Sequence, residues 1–484
     1  MLLSTLIPHD EVAEVPSGAF SIAVTSLTAD SRRVEPGALF AALSGTKADG
    51  TAFIVDAVEK GAVAILTSET ADVPDSVSVP VLRAREPRRA LALMAARFFE
   101  RQPETIVAVT GTSGKTSVAE FTRQLFAAAG RRAASLGTIG VVKPDGAAYG
   151  SLTTPDPVTL HATLAALAGE GITHLAFEAS SHGLDQYRLD GVRVGAAAFT
   201  NLGRDHLDYH PTTEAYLAAK LRLFEALLPI GAPAVVNVDA PGADTVLQAA
   251  RLRGHRIVSV GAAGETLRLA ALDRDGFAQR MTLVYDGRTY EARLPLIGTY
   301  QVANSLVALG LVLAMGEDPA VVIPALAGLT GVRGRLDIVG EKNGALAVVD
   351  YAHKPEALEA ALTGLRPFAT GRLICVFGCG GDRDRGKRPI MGAIATSNAD
   401  IVIVTDDNPR AEDPAAIRAE ILAAAPGARE IGDRAEAIRA AVALLQPGDV
   451  VVVAGKGHET GQIVGQTVIP FSDHDCLGQA LQAS

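Results

Sequence analysis

The chain has 484 residues, 48% of them hydrophobic and 20% charged, with a formal charge of -10. That length suggests roughly three domains and material for several cores. The acidic balance argues against a nucleic-acid partner, which would want a basic face, while leaving local loops free to bind small anions.

The N-terminus, MLLSTLIPHDEV, lacks the basic region and full apolar core of a signal peptide. Residues 1–101 mix short strands (FSIAVTSL, AVAILT) with helical stretches (AFIVDAVEKGA, RALALMAARFF), and a break at RQPE closes this first unit. A second unit, 102–330, alternates strand, glycine turn and helix: TIVAVT, HLAFEAS, AAAFTN and APAVVNVD are its strands. This rhythm implies βαβ units and a parallel sheet. The longest apolar run, LVALGLVLAM at 306–315, is far short of the ~20 residues needed to span a bilayer. After the Gly-rich linker GLTGVRGR the alternation resumes over 331–484 with LAVVDY, RLICVFG, DIVIVTD and DVVVVAG. That is a second open α/β sheet, whose ligands gather beyond the carboxyl ends of the strands. Cys375, Cys379 and Cys476 show no paired spacing, so neither a disulfide framework nor a zinc ribbon is expected. The reading is a soluble cytoplasmic protein without membrane insertion.

VAVTGTSGKTS, 107–117, carries the first chemistry. The general phosphate loop has Gly, four residues, then Gly-Lys-Ser/Thr, but here the first position falls on Val109. What remains, Gly111-Thr112-Ser113-Gly114-Lys115-Thr116-Ser117, is a tighter turn between an apolar strand and a helix. Backbone N–H groups and the helix N-terminus would face an anion there, with Lys115 reaching the β/γ-phosphates and Thr116 a Mg²⁺ ion. A glycine-rich connection that binds nothing is the bland alternative. FGCGGDRDRG also follows a strand, yet its third glycine position is Arg383, which argues against a dinucleotide fold.

The shortened loop resembles that of the Mur ligases and their folylpolyglutamate synthase relatives. Further motifs fall in the family's order: DSRRVEPGALF, ADGTAFI, LTTPDP, FEASSHGLDQYRL, FTNLGRDHLDYHPTTEAYLAAKLRLF, GTYQVANSLVA, GRLD, VVDYAHKPEAL, FGCGGDRDRGKRPIM, TDDNPR and AGKGHE. The resemblance implies a three-domain Mur ligase architecture: a UDP-MurNAc-binding domain, a central P-loop ATPase with a parallel sheet, and a C-terminal Rossmann-like amino-acid domain. It implies an ATP-dependent amide ligase of peptidoglycan synthesis that adds meso-diaminopimelate to UDP-MurNAc-L-Ala-D-Glu. A ligase using L-lysine and a folylpolyglutamate synthase are the neighbouring alternatives. A nucleotide-dependent switch is the rival from another class, and its NKxD motif is missing. A monomer is expected.

Site residues carry over by motif. Glu178 ends HLAFE, where a Mg²⁺ beside the loop needs an oxygen ligand. His206 and His210, with Asp205 and Asp208 nearby, have the i,i+4 spacing of a zinc pair, but the resemblance assigns His206 to the magnesium. It makes Lys220, on an alanine-rich helix, a carbamylated lysine, its CO₂-derived carboxylate serving a second Mg²⁺. Asn304, Arg335 and Asp350 match ATP-side positions, and His353 packs by the nucleotide. Ser31, Thr46 and Lys47 match the uridine site, and Thr153, Thr154, Ser180, Gln186 and Arg188 the muramoyl dipeptide. Asp337 departs from the glutamate usual after the family's Gly-Arg pair. Arg383, Asp407, Asn408, Pro409, Arg410, Gly455 and Glu459 match the diaminopimelate site. Arg410 would take the distal carboxylate, while Asp407, Asn408 and Glu459 accept from the ammonium.

Overall fold

The computed structural model describes residues 1–45, 49–148, 152–206 and 209–483. Among them, three main sheets follow one another along the chain. The first has five strands in spatial order Val12–Glu14, Val81–Ala84, Ala64–Ser68, Ala38–Ala41 and Ser26–Thr28; only the Val12–Glu14 edge runs antiparallel. FSIAVTSL supplies only Ser26 and Leu27 to the strand Ser26–Thr28. Its earlier backbone pairs with the N-terminus instead, through Leu3 N–H to Ile22 O and Val24 N–H to Met1 O.

The second sheet has eleven strands. Thr105–Thr110 sits near its middle, parallel to His174–Glu178 on one side and Ala196–Phe199 on the other. The parallel order continues through Ala133–Gly137 at one flank and Pro233–Asn237 and Arg256–Gly261 at the other. These strands are buried on both faces, one cluster including Val107, Val109 and Phe121, the other Ile106, Ala108 and Phe177. Both flanks end in antiparallel ribbons, Gly140–Lys143 with Gly146–Ala148, and Leu267–Asp275 with Ala278–Tyr285 and Arg288–Leu294. The wholly parallel sheet expected from the sequence therefore holds only for the interior. Asp-Gly turns explain the flanks: Asp286 and Gly287 both have positive φ, +50° and +70°, as a tight two-residue hairpin requires.

In the third sheet Ala345–Asp350, Val450–Ala454, Leu373–Phe377, Ile401–Val404 and Arg429–Glu430 run parallel, and Asp337–Lys342 is an antiparallel edge. Because the strands are parallel, the segments following Asp350, Phe377, Val404 and Ala454 all emerge at one end of the sheet. Behind that end lies a fully buried ion pair, Arg434 Nε to Asp473 Oδ1 at 2.7 Å and Nη2 to Asp473 Oδ2 at 2.8 Å. Lys354 of this sheet forms an ion pair with Asp205 of the central unit. No helix among the described residues is long and apolar enough to cross a membrane.

Candidate active site

The loop after Thr105–Thr110 turns on two glycines with positive φ, Gly111 at +148° and Gly114 at +86°. Gly114 is irreplaceable on steric grounds too, since a Cβ there would lie 2.2 Å from Asn304 Oδ1. Asn304 Nδ2 donates to Gln301 Oε1, and Gln301 Nε2 to Arg335 O, so two expected ATP-side residues are linked to each other, with Asn304 packed beside Gly114 of the loop. Asn201 Oδ1 accepts from Ser113 N–H at 3.0 Å, and Thr200 Oγ1 donates to Ser113 O at 2.7 Å. The loop opens the helix Lys115–Ala128, with Thr116 and Ser117 buried in its first turn. Lys115 Nζ donates to Gly111 O and Thr112 O at 2.8 and 2.9 Å. Burial lowers its pKa, against the opposing pull of Glu178 and Asp205.

Lys220 is the least ordinary residue of the group. Its helix, Thr213–Arg222, turns it fully inward, where Nζ donates to the same Gly111 O at 2.8 Å and lies 4.0 Å from the centre of the Tyr216 ring. Burial, and then the charge of Lys115, holds its pKa well below that of an ordinary lysine. Glu178 is buried at the end of its strand, where Oε1 accepts from Thr138 N–H at 2.7 Å and Oε2 from Thr138 Oγ1 at 3.2 Å. His206 takes a left-handed φ of +53°. Burial, despite the attraction of Asp205, brings its pKa down to about 4, so its imidazole is neutral and able to bind a metal at physiological pH. Burial works against the Asp205 carboxylate, but Lys354 holds its pKa below the usual value.

On the donor chemistry, the Thr116 hydroxyl and the Glu178 carboxylate suit Mg²⁺, which takes oxygen ligands, while the neutral His206 imidazole is a softer nitrogen donor. Among the described residues no three His, Cys, Asp or Glu side chains converge as an all-protein cage.

The residues expected at the dipeptide form one network. Thr154 Oγ1 donates to Glu178 O and accepts from Ser180 N–H; Arg188 Nη1 donates to Thr154 O at 2.7 Å, and its Nη2 to Gln186 Oε1 at 2.7 Å. Thr153 Oγ1 lies 3.0 Å from Thr138 Oγ1, beside Glu178. Ser180 also caps the short helix Ser181–Asp185 by accepting from Gly183 N–H. Ser31 stands apart in the first unit, its carbonyl accepting from Lys60 Nζ. Thr46 and Lys47 lie outside the described residues.

A cleft of about 1110 Å³ runs from Arg204, Asp205 and His206 to Asp407, Asn408, Arg410, Gly455 and Glu459, with His353, Lys354 and Arg383 along its wall. His353 donates from Nδ1 to Tyr351 O at 2.8 Å, and burial brings its pKa to about 3. Asp350 is turned away from this space: its oxygens accept from Leu336 N–H, Tyr300 OH and Ala352 N–H at 2.7 to 2.9 Å. It clamps the linker to the strand end, and Arg335 lies over the Tyr351 ring. Asp337, without an assigned role in the sequence, accepts from His474 Nε2 at 2.7 Å and pins the C-terminal helix.

At the far end Arg410 adopts φ +52°, and its Nη1 donates to Gly381 O at 2.9 Å. Its backbone pairs with a hairpin, Gly461–Val464 with Thr467–Pro470, by Arg410 N–H to Ile463 O and Gly465 N–H to Arg410 O. Arg383 is exposed, with Nη1 near Asp382 O. Asn408 differs from the expectation that it accepts from a ligand. Its Oδ1 already takes Lys456 Nζ and Ile463 N–H, both at 2.9 Å, and an amide oxygen has two lone pairs. Lys354 and Lys456 escaped the sequence reading, although they sit inside the motifs DYAHKP and AGKGHE, each directly after a residue that was singled out, His353 and Gly455.

Three family models match the chain in succession: Mur ligase family, catalytic domain, over residues 23–99; Mur ligase middle domain over 109–312; and Mur ligase, glutamate ligase domain over 334–457. A UDP-N-acetylmuramoyl-L-alanyl-D-glutamate--2,6-diaminopimelate ligase of Agrobacterium fabrum is 58% identical over 95% of this chain and 94% of its own. One of Bradyrhizobium diazoefficiens is 57% identical over 99% of both. A solved structure of a ligase with the same name is 33% identical, covers 100% of this chain and 99% of its own, and has a TM-score of 0.74. The MurF ligase from Thermotoga maritima, solved with ADP, shares the fold at 20% identity and a TM-score of 0.63 over 95% of this chain and 98% of its own. The chain belongs to the Mur ligase family.

Proposed function

We propose that this chain is an ATP-dependent amide ligase that joins meso-diaminopimelate to UDP-MurNAc-L-Ala-D-Glu in peptidoglycan synthesis. The observation that carries the reading is the single cleft with the Asp205–His206 segment, next to the phosphate loop, at one end and the Asp407–Arg410 tip at the other. Both ends come from one chain, so a monomer suffices, and the nucleotide substrates fit a cytoplasmic enzyme. The three units are taken as 1–101, 102–330 and 331–484.

In the first step a γ-carboxylate oxygen of D-glutamate attacks the γ-phosphorus of ATP, the bond to the β-phosphate oxygen breaks, and ADP leaves an acyl phosphate. The amine of the amino acid then attacks the acyl carbon, and the tetrahedral intermediate expels phosphate as the amine loses its proton. Backbone N–H groups of Gly111–Ser117 and the N-terminus of the following helix receive the phosphates. Lys115 releases its two carbonyl partners to pair with the transferring oxygens, where charge compensation and positioning dominate. Asn304 and Arg335 hold the ATP side. Thr116, Glu178, His206 and carbamylated Lys220 would hold Mg²⁺, which when bound offsets phosphate charge. The Thr153–Thr154–Ser180–Gln186–Arg188 network takes the dipeptide, and Ser31, with Thr46 and Lys47, the uridine end.

At the other end Arg410, assisted by Arg383, pairs with the distal carboxylate of diaminopimelate. Pro409 fixes its own φ and Gly455 leaves room for close approach. L-Lysine has only the ammonium there, leaving the guanidinium without its anion, a penalty that supports about thousandfold discrimination. The test is phosphate release with ATP, UDP-MurNAc-L-Ala-D-Glu and either amino acid. Release should require both co-substrates and favour diaminopimelate; release without them, or a preference for lysine, would sink the reading.

A further inference from the structure

Lys456 is completely buried between Gly455 and Glu459, two residues that line the cleft, and it belongs to no hydrophobic cluster. Its Nζ donates to Asn408 Oδ1 at 2.9 Å and Glu459 Oε2 at 3.0 Å, and lies 3.7 Å from Asp407 Oδ1. With Ile463 N–H on the same amide oxygen, the Asn408 side chain has one orientation open to it, and its Nδ2 accordingly donates to Glu459 Oε2 at 2.9 Å. One buried ammonium thus fixes an amide and a carboxylate together. Asp407 lines the cleft, but its Oδ1 is buried, makes no hydrogen bond and faces the Lys456 ammonium alone. Gly455, with φ +118°, keeps the space beside it open, since even a Cβ there would come within 3.1 Å of Asp407 Oδ2.

We infer that Lys456 is a positioning residue of the amino-acid pocket: it locks Asn408 and Glu459 in place and holds the buried Asp407 carboxylate ionised beside them. The inference rests on the amino-acid reading of this pocket. A buried carboxylate oxygen without a hydrogen bond is costly, and the nearby Lys456 ammonium offsets part of that cost. The groups facing Asp407 are Lys456 and Glu459 from the loop after Val450–Ala454, Arg434 and Asp473 from two helix starts, Lys387 from the helix Lys387–Asn398, and Tyr351 and Cys379 from neighbouring strand ends. Burial raises the Asp407 carboxyl, and Arg434 and Lys456 oppose that rise. Removing Lys456 therefore makes the carboxylate harder to ionise.

The experiment compares wild type with Lys456→Met and Lys456→Arg in steady-state kinetics for all three substrates across pH. In Lys456→Met the KM for diaminopimelate should rise about tenfold or more, while the KM values for ATP and the UDP-linked dipeptide hold. The acid limb of kcat/KM for diaminopimelate should move to higher pH, and Lys456→Arg should restore part of both effects. A uniform change in all three KM values, or an acid limb that stays in place, overturns the inference. Should Lys456→Met fail to fold, Lys456→Gln is read in the same way; if neither folds, Lys456 serves the fold alone and the inference is also overturned. A wild-type enzyme unable to use diaminopimelate overturns the proposed function and this inference together, so the two failures are distinguishable.

Discussion

Lys115 Nζ and Lys220 Nζ each lie 2.8 Å from Gly111 O, so the two nitrogens are no more than about 5.6 Å apart, twice that distance. Two positive charges at that spacing repel by about 3 kcal/mol at an effective dielectric near 20, less some screening because Lys115 is partly exposed. A neutral Lys220 amine removes the repulsion, and a carbamate on it turns the term into an attraction. The neutral amine is also the form that reacts with CO₂. Wild-type protein in ¹³C-bicarbonate, with magnesium and nucleotide, should therefore show a carbamate carbon resonance that Lys220→Ala lacks. Lys220→Ala should lose turnover by on the order of a hundredfold or more, as expected when a preorganised charge is removed from a phosphoryl-transfer site. Absence of the resonance in wild type, or a variant within a few-fold of wild-type turnover, would refute the charge argument.

Arg410→Ala should cut kcat/KM for diaminopimelate by about a thousandfold and barely change the poor use of lysine; an unchanged ratio of the two rules out the guanidinium as the selector. Gly114→Ala faces both a left-handed φ and the Asn304 amide, so it should cost about 1–3 kcal/mol locally and abolish ADP formation. Unaltered thermal stability and nucleotide affinity would contradict that. His353 has a pKa of about 3 against 6.5 for the free side chain, so the unfolded chain binds more protons between those values. The associated stability is present above about pH 6.5 and is lost as the pH falls toward 3; Tm against pH for His353→Gln should be flatter in that window, and an identical acid slope would count against it. Arg434→Met leaves Asp473 buried without its partner and should cost about 3–5 kcal/mol in denaturant unfolding; a loss under 1 kcal/mol would mean the carboxyl finds another way to neutralise itself.

Strand-loop-helix order made the phosphate loop readable, because Gly111, Gly114 and Lys115 are constrained locally. The continuous apolar runs likewise marked the doubly buried strands. The antiparallel flanks were less visible: a hairpin in an α/β rhythm announces itself only by Asp145-Gly146, Asp275-Gly276 and Asp286-Gly287, three dipeptides in a long chain. Lys220 and Lys456 show a deeper limit. An isolated lysine in sequence reads as solvated, and only tertiary packing, which brings Gly111 to the first and Asn408 to the second, reveals a buried ammonium. Asn408 was noticed for its amide, but which face that amide offers depends on Ile463, 55 residues away. Asp350 was marked only as an ATP-side position by resemblance, and its inward turn depends on Tyr300 and Leu336.

The pairing of Arg410 with the Gly461–Val464 strand gives the recognition tip a second parent. Its residues are set by one stretch of chain, but its register is set by another that lines little of the cleft. Lengthening or shortening the hairpin by one residue would shift the alternation of backbone partners beside Arg410 and swing the guanidinium while leaving every residue of the tip the same. Substrate preference can therefore drift through a surface ribbon whose outer positions, Val468 and Ile469, are exposed and free to vary. In a set of such chains, variation in this ribbon should track amino-acid choice even where the tip itself is identical.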